Sequence, residues 1–254
     1  ERDSGRTMMS GFHGLFSLGG VAGAGGVSGL LTLGLSPWHA TWIVVTVIAL
    51  LLALSARCYL PYGGRSSGPA FAIARGVVLF IGALCFILFL TEGAVLDWSA
   101  VFLTDVRGMS AAHAGLGYAA FAATMTVGRL TGDRIVVRFG SKAIVIGGSL
   151  IAAAGLALAT LVPSWTVALM GYALVGIGCS NIVPVMFSLV GKQTEMPESI
   201  AVPAITTMGY AGILLGPAFI GYVAHASSLA IALLILAVML VGVAASARLL
   251  KMLD

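Results

Sequence analysis

Charge is what this sequence has least of. Only 9% of its 254 residues are Asp, Glu, Lys or Arg, against about 25% in ordinary globular proteins, while 59% are hydrophobic. A chain of that composition folding in water would leave more apolar surface than one core can hide. A soluble globular fold is therefore excluded, whereas in a bilayer the same surface carries no penalty. Cysteine is scarce too: Cys58, Cys85 and Cys179 lie in or beside apolar runs with no C-x-x-C spacing, which points to neither a disulfide framework nor a metal site. Nucleotide-binding glycine motifs are missing, so neither direct ATP hydrolysis nor a cofactor is expected. Clusters of the H-E-x-x-H kind, which an integral-membrane enzyme would want, are missing as well. The net charge of +4 does not signal nucleic acid, because the cations punctuate apolar segments instead of gathering on an aromatic-laced face. No signal peptide is visible, and the opening stretch from Glu1 to Arg6 reads as an interior loop of a longer protein.

What is abundant is apolar sequence in long runs, with 34 glycines and eight prolines among them. A membrane-spanning helix needs roughly 20 predominantly apolar residues. Eight segments qualify: 8–33, 40–56, 76–103, 111–130, 143–162, 165–190, 200–223 and 227–249. The expected class is an all-α polytopic membrane protein whose partner is the lipid bilayer. If the amino-terminal end is cytoplasmic, twelve of the thirteen Lys and Arg residues fall inside and only Arg107 falls outside. Trp38, Trp42, Trp98 and Trp165 all lie at the outer ends of spans, where amphipathic rings favour the headgroup level. The connection 57–75 contains L-P-Y-G-G-R-S-S-G-P and reads as a cytoplasmic linker between 1–56, two helices, and 76–254, a six-helix bundle.

The densest charge is in 128–142, G-R-L-T-G-D-R-I-V-V-R-F-G-S-K, which reads as one short turn holding Arg129, Asp133, Arg134, Arg138 and Lys142. A faint repeat links Gly11-Phe12-His13-Gly14-Leu15 to Gly209-Tyr210-Ala211-Gly212-Ile213, six spans later, the period of a duplicated six-helix bundle.

Several polar residues inside spans are functional candidates. Glu92 is the sharpest, since a carboxylate in a span costs roughly 2.5 to 3.5 kcal/mol on insertion scales and marks a cavity or a partner. It reads either as a proton-coupling acid or as a hydrogen-bonded structural carboxyl. Asp97 sits about 140° round the helix from it and near the outer surface, so it reads as a helix-end group, an outer gate or a substrate contact. His13 would relay protons or bond a neighbouring helix. Pro184 removes a backbone donor and frees the Ser180 carbonyl, predicting a local break. Beside it, Asn181 reads as a neutral substrate-binding amide or as a strut between helices. Gly19 with Gly23, Gly25 with Gly29, and Gly212 with Gly216 are small residues at a spacing of four that let helices approach closely, and Pro217 adds a kink.

Three stretches carry a family likeness. The segment G-R-L-T-G-D-R-I-V-V-R-F-G resembles the signature cytoplasmic loop between helices 8 and 9 of the major facilitator superfamily. T-E-G-A-V-L-D-W-S-A-V-F-L and G-Y-A-G-I-L-L-G-P-A-F-I-G resemble helices 7 and 11 of a bacterial branch related to sugar and fucose permeases. The resemblance implies helices 5 to 12 of a twelve-helix fold. Half of the cavity, which the family builds from helices 1, 4, 7 and 10, would then come from helices 1 to 4 or from a partner chain. It further implies a conformational latch on the cytoplasmic side, made of Gly128, Arg129, Gly132, Asp133, Arg134, Arg138 and Gly140. Asp133 would meet the amino terminus of the first helix, near Ser10, where the helix dipole favours an anion. The function implied is secondary transport of a small polar solute, such as a sugar, by alternating access in a bacterial inner membrane. Protons are the expected coupling ion and symport the expected mode. A truncated, non-transporting membrane protein or interaction scaffold is the alternative.

Overall fold

A computed structural model of the protein describes residues 8–58 and 73–249. The expected amino-terminal loop and residues 59–72 of the expected linker lie outside the described residues. Among the described residues there are nine α-helices and no strand. They are α1 Met9–Thr32, α2 Pro37–Ser55, α3 Gly76–Val101, α4 Leu116–Phe139, α5 Ser141–Leu161, α6 Trp165–Cys179, α7 Ile182–Val190, α8 Glu198–Ala226 and α9 Leu229–Ser246. Together α6 and α7 make one broken span, Trp165–Val190, so the nine helices form eight segments. Among the described residues, six segments are long and apolar enough to cross a membrane. Of the other two, α1 and α4, both 24 residues long, α4 is the less apolar, diluted by its charges.

Two compact units divide the chain, Glu1–Gly14 with Gly68–Asp254 and Leu15–Ser67. In the smaller one, Ser36 caps α2 by accepting from the His39 amide, and Pro37 opens the helix where its missing N–H costs nothing. Gly19, Gly23 and Gly29 are exposed there with nothing packed against them inside that unit, so the expected close approach at these glycines is not made within it.

The larger unit is a bundle whose helices meet through glycine. Between α5 and α6, Gly148 and Gly155 face Gly178 and Gly171; a methyl added to Gly155 would lie 2.5 Å from the Gly171 carbonyl oxygen. Between α3 and α8, Gly212 lets α8 lie against the Phe86 carbonyl, and a methyl there would stand 3.0 Å from the Leu90 nitrogen. Gly216 faces Leu90 on the same seam, and Pro203 and Pro217 lie inside the single helix α8. With no hydrophobic force between helices in lipid, such close packing is the main source of cohesion.

Arg107, the cation expected to violate the charge rule, has a structural task. Its guanidinium donates to the Ala159 and Thr160 carbonyls at 3.0 and 2.7 Å and lies over the Phe102 ring. Those carbonyls end α5, where unsatisfied acceptors and the negative end of the dipole favour a cation.

Replacing Gly155 by Leu is expected to force α5 from α6 and destabilise the protein by about 2 kcal/mol or more. Gly147→Leu, at a position with nothing within 4 Å, is expected to be neutral. Thermal unfolding of the two variants in detergent checks the contrast.

Candidate functional site

The site begins at the break between α6 and α7. Pro184 has no N–H to offer the Ser180 carbonyl, and the helix is interrupted at Ser180 and Asn181, where Asn181 departs from helical geometry with φ −113° and ψ −3°. Helix α7 restarts with Val185 N–H donating to the Asn181 carbonyl at 3.1 Å. The freed Ser180 carbonyl accepts instead from Arg129 Nε at 3.4 Å.

Arg129 reaches that carbonyl because 128–139 is not a turn. The sequence pattern places the span at 111–130 and the charged stretch in a loop after it; in the structure α4 runs on to Phe139 and ends only where Gly140 takes φ +80°. No residue between Gly132 and Gly140 breaks a helix, and the charges recur at helical spacing, so the apolar run stops before the helix does. Arg129 therefore lies ten residues, roughly 15 Å, inside the end of α4 rather than among orienting loop charges. Its Nη2 donates to both carboxylate oxygens of Glu92 on α3, at 3.2 Å each. The side chains keep 6% and 15% of their exposure, so two opposite charges are held within the bundle.

Asn181 belongs to the same cluster and is 5% exposed. Its amide nitrogen donates to the Gly128 carbonyl and to Ser180 Oγ, both at 3.0 Å. Its carbonyl oxygen is buried with no hydrogen-bond partner among the described residues. It presses on Gly132, where any larger residue would collide with it. The amide thus works as a strut between α7 and α4.

One turn beyond Arg129, Asp133 faces the start of α1. The Ser10 and Gly11 amides donate to its two carboxylate oxygens at 3.1 Å each. These are first-turn amides, which have no partner within their own helix, and an acceptor carrying negative charge suits that end of the dipole. Gly14, one turn along α1, leaves room for the α4 backbone: a methyl there would stand 3.1 Å from the Leu130 nitrogen. His13 lies between these contacts, its Nδ1 hydrogen donated to the Met9 carbonyl at 2.9 Å and its ring edge-on to Phe187 of α7.

The remaining candidates stand apart from this cluster. Asp97 is exposed near the far end of α3, and Arg134 and Arg138 are exposed on the last turns of α4. Glu195 escaped the sequence reading: from the α7–α8 connection it accepts the Val77 amide at 2.9 Å, capping α3 as Asp133 caps α1. Only the tertiary fold brings it there, 118 residues from its partner. Among the described residues no group of His, Cys, Asp or Glu is placed to hold a metal.

A family model described as the Major Facilitator Superfamily matches residues 2–195. An uncharacterised transporter of Yersinia pestis, of the type named for that superfamily, is 55% identical over 98% of this chain and 65% of its own length. The membrane protein MosC of Rhizobium meliloti is 34% identical over 85% of this chain and 55% of its own. The chain thus spans between half and two thirds of these relatives. Among solved structures, the Escherichia coli fucose:proton symporter FucP has a TM-score of 0.66 at 19% identity, over 86% of this chain and 60% of that one. A second FucP structure, in the outward conformation, gives 0.65 at 18%.

Glu92→Leu strands the Arg129 charge and is expected to destabilise the protein by about 3 kcal/mol; Arg129→Leu strands the carboxylate at a similar cost. The double substitution is expected to recover most of the loss, since an apolar pair of like volume replaces a buried ion pair at little cost. A four-protein thermal-unfolding cycle measures the coupling, and strictly additive losses would show that the two side chains do not act together.

Proposed function

We propose that this chain, which belongs to the major facilitator superfamily, forms the larger part of a secondary transporter that moves a small polar solute by alternating access. The observation that carries the proposal is the Glu92–Arg129 pair held inside the spans, because ionisable groups at that depth are costly and mark solute or proton pathways. A shared fold with a fucose:proton symporter supports a sugar as the solute class and the proton as the coupling ion. Glu92 is then the residue that takes up the proton, with Arg129 as its counter-charge in the deprotonated form.

In this reading the Asp133 end of the bundle faces the cytoplasm of a bacterial inner membrane, an orientation supported by the distribution of Lys and Arg. Gly128, Arg129, Gly132, Asp133, Arg134, Arg138 and Gly140 form the cytoplasmic latch, with α1 as its moving partner. The two helices before residue 57 belong to an amino-terminal bundle, residues 76–254 form the carboxy-terminal bundle, and 57–75 link them. The other half of the cavity comes from helices of the amino-terminal bundle or from a partner chain. Asp97 and His13 stand towards the outer and inner ends of the path.

Intact mass in the native membrane is the first check. A mass well above 25.8 kDa, by about four spans, is expected and makes proton-coupled uptake measurable in one polypeptide. In that assay Glu92→Gln is expected to abolish substrate-driven proton uptake while leaving solute exchange. Glu92→Gln with full proton coupling would remove Glu92 from the proposed role.

A further inference from the structure

The ion pair and the α1 contact are joined by a single side chain. Asn181 points its donor end at α4 beside Arg129, through the Gly128 carbonyl, and its acceptor end at Gly132. A methyl on Gly132 would also lie 2.7 Å from Ser10 Cβ, so the first turn of α1 covers the same spot. Ser10 is 2% exposed and its amide is the one held by Asp133. Beneath α1 there is thus a carbonyl oxygen with no donor among the described residues.

Two terms of opposite sign meet here. The Asp133 bonds to the Ser10 and Gly11 amides favour α1 in place, and charge-assisted bonds are the stronger kind. A buried acceptor without a partner disfavours it, because water would satisfy that oxygen once α1 withdrew. The unpaired end is not a misplaced amide: turning it over would set the oxygen against the Gly128 carbonyl, and losing that donor would cost more than it gained.

From this arrangement we infer that Asn181 is a positioning residue that keeps the closure between α1 and α4 weak enough to open. Its amide holds α4 in register with the break at Ser180, and its unpaired carbonyl destabilises the closed arrangement. The inference rests on the transport reading above only in requiring that α1 leaves α4 during the cycle. An apolar residue of the same shape would remove the penalty and lock the closure. The Gly128 carbonyl would not be stranded, since Thr131 Oγ1 also donates to it.

The test labels a Ser10→Cys reporter with a hydrophilic thiol reagent in permeabilised membranes, using the full protein with Cys58→Ser. Cys85 and Cys179 are buried and Cys58 alone among the cysteines is exposed. Asn181→Leu is expected to slow labelling about tenfold, the population shift that follows from relieving one unsatisfied buried acceptor. Asn181→Ala removes the same oxygen with less bulk; it is expected to slow labelling too, and it decides the matter if the Leu variant fails to accumulate. Unchanged or faster labelling in the folded variant overturns the inference. Asp133→Asn is run alongside and is expected to speed labelling. If it has no effect, the closure itself does not open, and the transport reading fails rather than the role of Asn181.

Discussion

A guanidinium inside a membrane-spanning helix has to be answered by its surroundings, and Arg129 is the constraint around which the larger unit is arranged. Its charge calls for a carboxylate, which α3 supplies as Glu92. Its remaining donor geometry calls for an acceptor that no intact helix could spare, and the gap left by Pro184 supplies the Ser180 carbonyl. Three segments are therefore fixed about one side chain. The break between α6 and α7 is structural as well as local, because a regular helix there would leave Arg129 one partner short.

Helical periodicity carries this arrangement to the end of the bundle. Arg129 and Asp133 are four apart on α4 and so share a face. The first serves the interior, the second the first-turn amides of α1, which have no partner in their own helix. Glu195 applies the same chemistry to α3. The difference lies in what is joined: Glu195 and Val77 both belong to the region from 76 onward, whereas Asp133 holds a helix from the other side of the 57–75 segment. One cap is made within the region from 76 onward; the other ties that region to a segment that precedes residue 57.

The spans are legible in the sequence because an apolar run of bilayer length has little use except to cross one, and the break at Ser180 is legible because proline lacks a donor. The charged stretch, by contrast, reads as a turn and is a helix. Hydropathy falls where the charges begin, but a helix continues as long as its backbone is satisfied, and only Gly140 stops it. Arg129 passes for an orienting loop charge for that reason. Its pairing with Glu92, 37 residues away, and that of Asn181 with Gly128, 53 residues away, leave no trace in local pattern. The same holds for Arg107, whose place outside the charge rule looks like noise until the end of α5 is seen beside it. Composition and periodicity report what each helix is; which polar atoms meet is settled by helix register, and no short-range feature of the sequence encodes it.

The crossing of α5 and α6 limits how the molecule is able to deform. Gly148 and Gly155 on one helix, and Gly171 and Gly178 on the other, recur at the same interval of seven and meet in opposite order, like teeth cut to a common pitch. Sliding by one turn, about 5.4 Å, would set side chains against carbonyls that now face bare Cα atoms. The pair is thus keyed against shear, and the two helices have to tilt as one beam. Such shear is left to joints with fewer teeth, and the α1–α4 contact has one on α1, Gly14 against the Leu130 backbone, beside its two hydrogen bonds.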